Sequence, residues 1–379
     1  MSKLNVLHIV PWFPTKEKKI EGIFIAEHIS ALNDHCNNDV LHISFGTKNN
    51  IEKDVFEGIS IDRITIKPLF NKWFLKEKLA TKSILKFLTK NRQKFDVVNF
   101  YITYPNAISI TKIEKKFPKV KFCMMEQWSA YHTQFNLPKG NKGRVRIENI
   151  FNNTIPLFTV SNALGEDIQN FIGNKDRTFK TIPNCINTQQ FSYKEKIKSN
   201  DFIFCSINNW SVMKNPIVLI KAFSRLQNDY NQVKLVLAGY GVLIPEMKQL
   251  VKDLKLQDHV MFKGRITKTE VVKELQNSNI YCQSSNYETF SAICIEALAT
   301  GTPVLATNIG GMKDFVTPEN GELVDSLEVE SWYHAMERNY LNYDSFDTQK
   351  IANNCQNTFN SQVVGELFYN RLVKVSNEK

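Results

Sequence analysis

Nothing in this 379-residue chain approaches the roughly 18 consecutive apolar residues that a bilayer-spanning helix requires. The apolar run at the N-terminus, Leu4 to Val10 in MSKLNVLHIVPWFP, is stopped by Pro11 and carries no small-residue cleavage site, so it reads as a first strand. Cysteine is sparse. The seven (Cys36, Cys123, Cys185, Cys205, Cys282, Cys294 and Cys355) are scattered and odd in number, mostly within apolar stretches. That argues against a disulfide framework or zinc cluster and for a reducing cytosol. The histidines have no ligand spacing and Asp-x-Asp does not occur, so no metal clamp is expected. A phosphate-cradling G-x-x-x-x-G-K-S/T loop is missing too. Gly239-Tyr240-Gly241 lies between a strand and a helix, but Ile244 stands where a dinucleotide fingerprint needs its third glycine. Helix-turn-helix, zinc-finger and aromatic RNA-binding signatures are absent, so nucleic acid is not an expected partner.

What is present is the composition of a soluble globular protein, 42% hydrophobic and 23% charged. The length is that of two domains. Lys+Arg 48 against Asp+Glu 38 gives +10, which favours anionic partners such as phosphates and nucleotides. Strand patterns at Leu4–Val10, Val40–Phe45, Val97–Tyr101, Val120–Met125, Leu157–Ser161 and Phe179–Ile182 alternate with helical runs of about ten residues, as βαβ units on a parallel sheet do. The polar, lysine-rich stretch Ser192–Asn200 breaks the pattern and is the expected linker. The alternation then restarts: strand Phe202–Ile207, helix Pro216–Leu226, strand Lys234–Ala238, helix Ile244–Leu254, strand Val260–Lys263 and helix Lys268–Gln276. The fold class predicted is α/β, with two doubly wound Rossmann-like domains facing across a cleft and ligands at the carboxyl ends of the strands. Residues 1–190 form the first domain and 191–361 the second, and a C-terminal helix over 362–379 is expected to pack back onto the first.

The stretch IYCQSSNYETFSAICIEALATGTPVLATNIGG, Ile280–Gly311, concentrates the chemistry. It reads as a strand, a polar loop with Glu288, a helix beginning near Thr289 that contains Glu296, a turn, a second strand and the Gly310-Gly311 pair. A helix start offers orphan N–H donors and a dipole that favours negative charge. By spacing alone, Glu288 and Glu296 are also compatible with an acid/base pair or with two solvated carboxylates.

This pattern of two glutamates with seven residues between them resembles the donor-site signature of retaining glycosyltransferases of family 4, which have the GT-B fold. TIPNCINTQQF (Thr181–Phe191), MKNPIVLIKAF (Met213–Phe223) and VKLVLAGYG with VMFKGRI are similar to further segments of that family, in the same order. The match covers roughly residues 155–325 well and the N-terminal part loosely. The resemblance implies that Glu296 binds the nucleotide ribose, that Glu288 contacts the donor sugar, and that Thr289, Phe290 and Ser291 present backbone amides to sugar and diphosphate. It implies that Lys214 neutralises the diphosphate leaving group and that Gly22 lies in a first loop near the phosphate and the acceptor. Such groups suit the reaction, because glycosyl transfer builds negative charge on a departing diphosphate that fixed cations and N–H donors stabilise.

Two positions depart from the family. Asn209 stands five residues before Lys214, where an arginine is usual, and Arg265 or Lys263 is the expected substitute. Gln127, in MMEQWSAYH, aligns with a histidine that lines the acceptor side. Glutamine carries no proton, and His132, five residues on, is the alternative. The catalytic set expected is Lys214, Glu288 and Gln127.

In Asn71–Lys94, the residues Lys78, Lys82, Lys86 and Lys90 form one helical stripe, with Trp73, Ala80, Ile84 and Leu88 well round from it. The pattern fits a helix lying on an anionic membrane and, equally, a core-facing helix with a solvated lysine face. The expectation is a cytoplasmic enzyme, peripheral on the inner membrane face and needing no cofactor or metal. The resemblance implies that it moves a hexose-type sugar from a UDP- or GDP-sugar to a glycan or lipid-linked glycan acceptor, in surface polysaccharide biosynthesis (capsule, O-antigen or exopolysaccharide). A non-catalytic nucleotide-sugar-binding partner protein, and an epimerase or hydrolase on the same fold, remain open alternatives.

Overall fold

A computed structural model describes residues 3–70, 72–91, 93–133, 140–196 and 199–377, apart from the side chains of Trp73 and Thr133. The chain divides into two compact units, Met1–Cys185 with Ser361–Lys379, and Ile186–Asn360.

The first unit carries strands β1 (Leu4–Val10), β2 (Cys36–Phe45), β3 (Asn50–Phe56), β4 (Ile59–Ile66), β5 (Val97–Tyr101), β6 (Lys121–Glu126), β7 (Leu157–Thr159) and β8 (Lys180–Thr181). Its helices are α1 (Ile23–Ser30), α2 (Trp73–Lys90), α3 (Ile110–Lys116), α4 (Ala130–Thr133), α5 (Lys142–Phe151) and α6 (Asn162–Ile172). The sheet order is β3-β4-β2-β1-β5-β6-β7-β8, parallel except for β3 against β4. Central strands β1 and β5 are near-continuous apolar runs, as burial on both faces demands, with Val6, Leu7, Ile9, Val97, Val98 and Phe100 fully buried. The β3–β4 hairpin was not anticipated. Its two-residue turn, Glu57-Gly58, has φ of 48° and 81°, which matches the right-handed twist of the strands it joins. On α2, Ala80, Ile84 and Leu88 are buried while Lys78, Lys82, Lys86 and Lys90 are exposed. Asn71 and Arg92, at the margins of the expected basic helix, lie outside the described residues.

The second unit has β9 (Phe202–Asn209), β10 (Val233–Tyr240), β11 (Val260–Gly264), β12 (Ile280–Gln283), β13 (Val304–Thr307) and β14 (Gly321–Val324). With them come α7 (Pro216–Asp229), α8 (Ile244–Asp253), α9 (Lys268–Asn277), α10 (Ala292–Ala299), α11 (Val329–Leu341) and α12 (Thr348–Phe359). The strand order β11-β10-β9-β12-β13-β14 is parallel throughout and reverses between β9 and β12. That reversal is where a doubly wound sheet opens a crevice at its carboxyl edge.

The crossings between units fall at Cys185/Ile186 and Asn360/Ser361, so the Ser192–Asn200 stretch is not the linker. The Lys196 ammonium holds this stretch to the second unit, donating to the carbonyls of Leu275 (3.2 Å) and Ser278 and to Thr302 Oγ1 (2.7 Å). The last helix, α13 (Ser361–Asn377), belongs to the first unit, where the Phe368 ring lies 5.0 Å from that of His28.

Three histidines of the first unit are buried. Burial holds His8 down to about 4 and His28 to about 3, and burial with the nearby Arg63 holds His42 to about 4, against an ordinary 6.5. Folded values below the unfolded ones mean that the unfolded chain binds more protons, so stability present above pH 6.5 is lost as pH falls toward 4. The urea midpoint of the first unit should fall through that window. In His28→Gln the slope against pH should be shallower than in the wild type.

Candidate functional site

The side chains expected to meet a sugar nucleotide gather at the reversal between β9 and β12. From the end of β9 the chain runs through a short 3-10 turn, Val212–Lys214, into α7; from the end of β12 it enters the loop that carries Glu288. Lys214 Nζ forms an ion pair with Glu288 Oε1. The same oxygen lies 2.6 Å from Gln283 Nε2 and accepts from Ser285 Oγ at 2.7 Å, while among the described residues Oε2 takes no hydrogen bond. Gln283, at the end of β12, exchanges hydrogen bonds with Asn208 of β9 at 3.1 Å each way and accepts from Tyr281 at 2.8 Å. The two loops are also tied by backbone. Asn286 N donates to Met213 O at 2.8 Å, and Ser284 Oγ to Asn215 O at 3.0 Å.

The helix after this loop begins at Ala292, later than the Thr289 start expected, because Ser291 is its N-cap in the left-handed region (φ 71°). Glu296 is half-buried in the second turn of α10. The Phe290 ring turns into the core, 1% exposed and 5.2 Å from the Phe315 ring, so only its backbone is available to a ligand. Thr289 is half-buried. Gly310 (φ 49°) passes so close beneath Glu288 that a Cβ there would lie 1.7 Å from its carbonyl oxygen, and Gly311 N donates to that oxygen at 3.2 Å. The glycine pair therefore seats the backbone of Glu288. Gly241, of the rejected dinucleotide pattern, serves a similar end, since a Cβ would meet Trp210 O at 2.2 Å.

Asn209 is exposed at the tip of β9, in register with Tyr240 of β10. The Arg265 guanidinium lies 4.2 Å over the Tyr240 ring, a cation–π contact that holds it above the neighbouring strand end. Lys263, the other substitute considered, is paired with Glu274 at 3.2 Å.

In the first unit, Gly22 caps α1 with φ 67°. Gln127 is buried; its Nε2 donates to Asn184 Oδ1 at 3.1 Å and lies 3.3 Å from His28 Nδ1. His132 is exposed on α4 and pairs with Asp167 of α6 at 3.0 Å, a different set of neighbours from those of Gln127.

Residues 187–356 match the family described as Glycosyl transferases group 1. The match lies within the second unit of this chain. Among its relatives is the alpha-monoglucosyldiacylglycerol synthase of Streptococcus pneumoniae, 30% identical over 120 residues, 32% of this chain and 27% of that protein. Matches to the curated relatives span between 27% and 52% of their lengths. The lipopolysaccharide outer core galactosyltransferase WaaB superposes with a TM-score of 0.77 at 15% identity, covering 98% of this chain and 99% of that one. Anabaena Alr3699/HepE, solved with UDP and glucose, gives 0.72 at 14% identity, covering 98% and 100%. The fold is GT-B.

Three polar residues that organise this chain were not singled out from sequence. Gln283 ends an apolar strand at the carboxyl edge, a position that could have flagged it. His28 lies within the apolar run of α1, and nothing beside it marks a role. Glu126 is fully buried and accepts five hydrogen bonds, from Thr103 N and Oγ1, Tyr131 OH, and the backbone N–H groups of Gln127 and Trp128. Burial pushes its carboxyl up from the ordinary range. It fixes the turn that presents Gln127.

The close approach beneath Glu288 predicts that Gly310→Ala lowers stability by roughly 1–3 kcal/mol in urea unfolding. Gly264→Ala, at a similar φ of 65° but with open space around it, should cost clearly less.

Proposed function

We propose that this chain is a retaining glycosyltransferase that moves a hexose-type sugar from a UDP- or GDP-sugar to a glycan acceptor in surface polysaccharide biosynthesis. The observation that carries this reading is the contact between Lys214 and Glu288 across the strand reversal. It sets a cation and a carboxylate side by side where a doubly wound sheet takes its ligand. When the sugar nucleotide binds, Lys214 turns to the diphosphate while Gln283 and Ser285 keep Glu288 in place. Glu288 Oε2 then accepts from a sugar hydroxyl, and Glu296 accepts from the ribose. The bond from the anomeric carbon to the diphosphate breaks with its electron pair going to phosphate oxygen. The acceptor hydroxyl forms the new bond on the same face, and its proton passes to the departing diphosphate. Lys214, Arg265 and the N–H groups at the start of α10 meet the growing charge without a metal, worth roughly 10²–10³ in rate per donor lost. The UDP bound in the HepE structure and the lipid product named for the pneumococcal relative support a nucleotide donor and a lipid-linked acceptor.

In the same reading the first unit holds the acceptor through Gln127 and His132, and α2 rests on the cytoplasmic leaflet. Because Ala80, Ile84 and Leu88 are already buried in the unit, that attachment would be electrostatic and weakened by salt. No helix among the described residues is long and apolar enough to cross a membrane.

The decisive assay is purified protein with a panel of sugar nucleotides, reading free nucleoside diphosphate with and without membrane extract. Release that depends on acceptor is expected. Acceptor-free release would indicate a hydrolase, an isomeric sugar nucleotide an epimerase, and binding without turnover a partner protein. Lys214→Ala should lower turnover about 10²–10³-fold. Glu296→Ala should abolish stabilisation by nucleotide in thermal unfolding, and full stabilisation of that variant by UDP and GDP would overturn the donor-site assignment.

A further inference from the structure

The first unit holds a second concentration of positive charge that the donor site does not use. A cavity of about 410 Å³ opens between α2, α3 and α5, lined by Lys78, Lys82, Lys112, Arg146, Thr81 and Ser109, among others. Four cations from three helices converge on it. Lys78 and Lys82 are one turn apart, a like-charge spacing that costs an isolated helix a few tenths of a kcal/mol. Among the described residues neither of them, nor Lys112, has a carboxylate ion-pair partner. Glu77 is the one carboxylate in the lining. It is 6% exposed and already engaged, paired with Arg146 Nε at 3.2 Å and accepting from Tyr104 OH at 3.2 Å. Its charge therefore goes to aiming the guanidinium, and the three lysines are left without an internal counter-ion. Thr81 Oγ1 donates its proton to Glu77 O at 2.9 Å, so its 3.2 Å contact with Ser109 Oγ is made by the serine's proton, and the two hydroxyls tie α2 to the start of α3.

We propose that this cavity is a binding pocket for a terminal phosphate group. A phosphate monoester carries up to two negative charges and three acceptor oxygens, and so is matched by several cations converging from different directions. A flat lysine stripe meets any anionic surface alike. A concave pocket fed by three helices selects a protruding phosphate, and it is too small to track the backbone of a nucleic acid. The same chemistry is offered by an anionic lipid headgroup and by a free phosphate. The inference uses nothing of the donor site, and it narrows the membrane contact proposed above to one place on α2.

Vesicles of phosphatidylcholine carrying phosphatidic acid, and others carrying phosphatidylserine at matched surface charge, test it with the full chain by co-sedimentation at low salt. The wild type should prefer phosphatidic acid. Lys82→Gln with Lys112→Gln should lose about tenfold or more in affinity for those vesicles. Lys86→Gln with Lys90→Gln removes equal charge from the same stripe outside the pocket and should change affinity by about threefold or less. Displacement by inorganic phosphate would assign the pocket to the phosphate group alone, and retention of the preference without displacement would assign it to the lipid headgroup. Equal losses in the two variants, or no preference for phosphatidic acid, would overturn the pocket. Nucleotide stabilisation should be the same in both variants, so a failure here leaves the donor-site reading standing.

Discussion

The ion pair of Lys214 and Glu288 is the constraint around which the second unit is arranged. Two charges brought partly out of water are costly unless their remaining valences are satisfied. Here Gln283 and Ser285 complete the shell of one carboxylate oxygen, and Gln283 is itself locked by Asn208 and Tyr281. The pair joins the loops after β9 and β12, the two strands on either side of the reversal, and so fixes the width of the crevice mouth. In the proposed reaction the diphosphate would draw Lys214 away from Glu288. The free site therefore avoids an uncompensated charge at some expense in affinity.

Backbone strain clusters at the same place. Asn215 (φ 45°) and Ser291 (φ 71°) are non-glycine residues in the left-handed region, each immediately before a helix that starts at the site. Such residues persist where their surroundings over-determine them. Asn215 is held by Ser284 through its carbonyl, and Ser291 follows the core-anchored Phe290. Gly310 allows the backbone of Glu288 to be approached as closely as the ion pair needs. Strain, close packing and charge pairing thus serve one geometry.

Most of the α/β alternation was legible because central parallel strands are apolar throughout and announce themselves. The hairpin of β3 and β4 was not, since edge strands alternate and carry polar residues such as Glu52, Lys53 and Asp54. The misplaced linker has a different cause. Lysine-rich composition marks a surface segment, yet Lys196 sends its ammonium back to cap carbonyls at the end of α9, a use that composition does not reveal. At the candidate site, the pattern marked Lys214 and Glu288, which the structure brings into contact, and the helix start was misjudged because Ser291 takes a conformation that serine rarely adopts. Gln283, Glu126 and His28 were missed for a common reason. Each has one partner distant in sequence, Asn208 for Gln283, Thr103 for Glu126 and Gln127 for His28, that its neighbours in the chain do not reveal.

The polar core of the first unit bears on how an acceptor hydroxyl would lose its proton in the proposed reaction. Gln127 carries no proton, and His28 beside it is held neutral by burial, down to about 3. Glu126 is sealed by five donors and lies out of solvent, so it orders the turn and does not exchange protons with a substrate. His132 is paired with Asp167. The network around Gln127 thus offers hydrogen bonds and no base. The group that gains basicity as the bond breaks is the departing diphosphate, which makes Lys214 a residue with two opposed effects. It stabilises the leaving charge, and by doing so it limits how strongly that charge can take the proton.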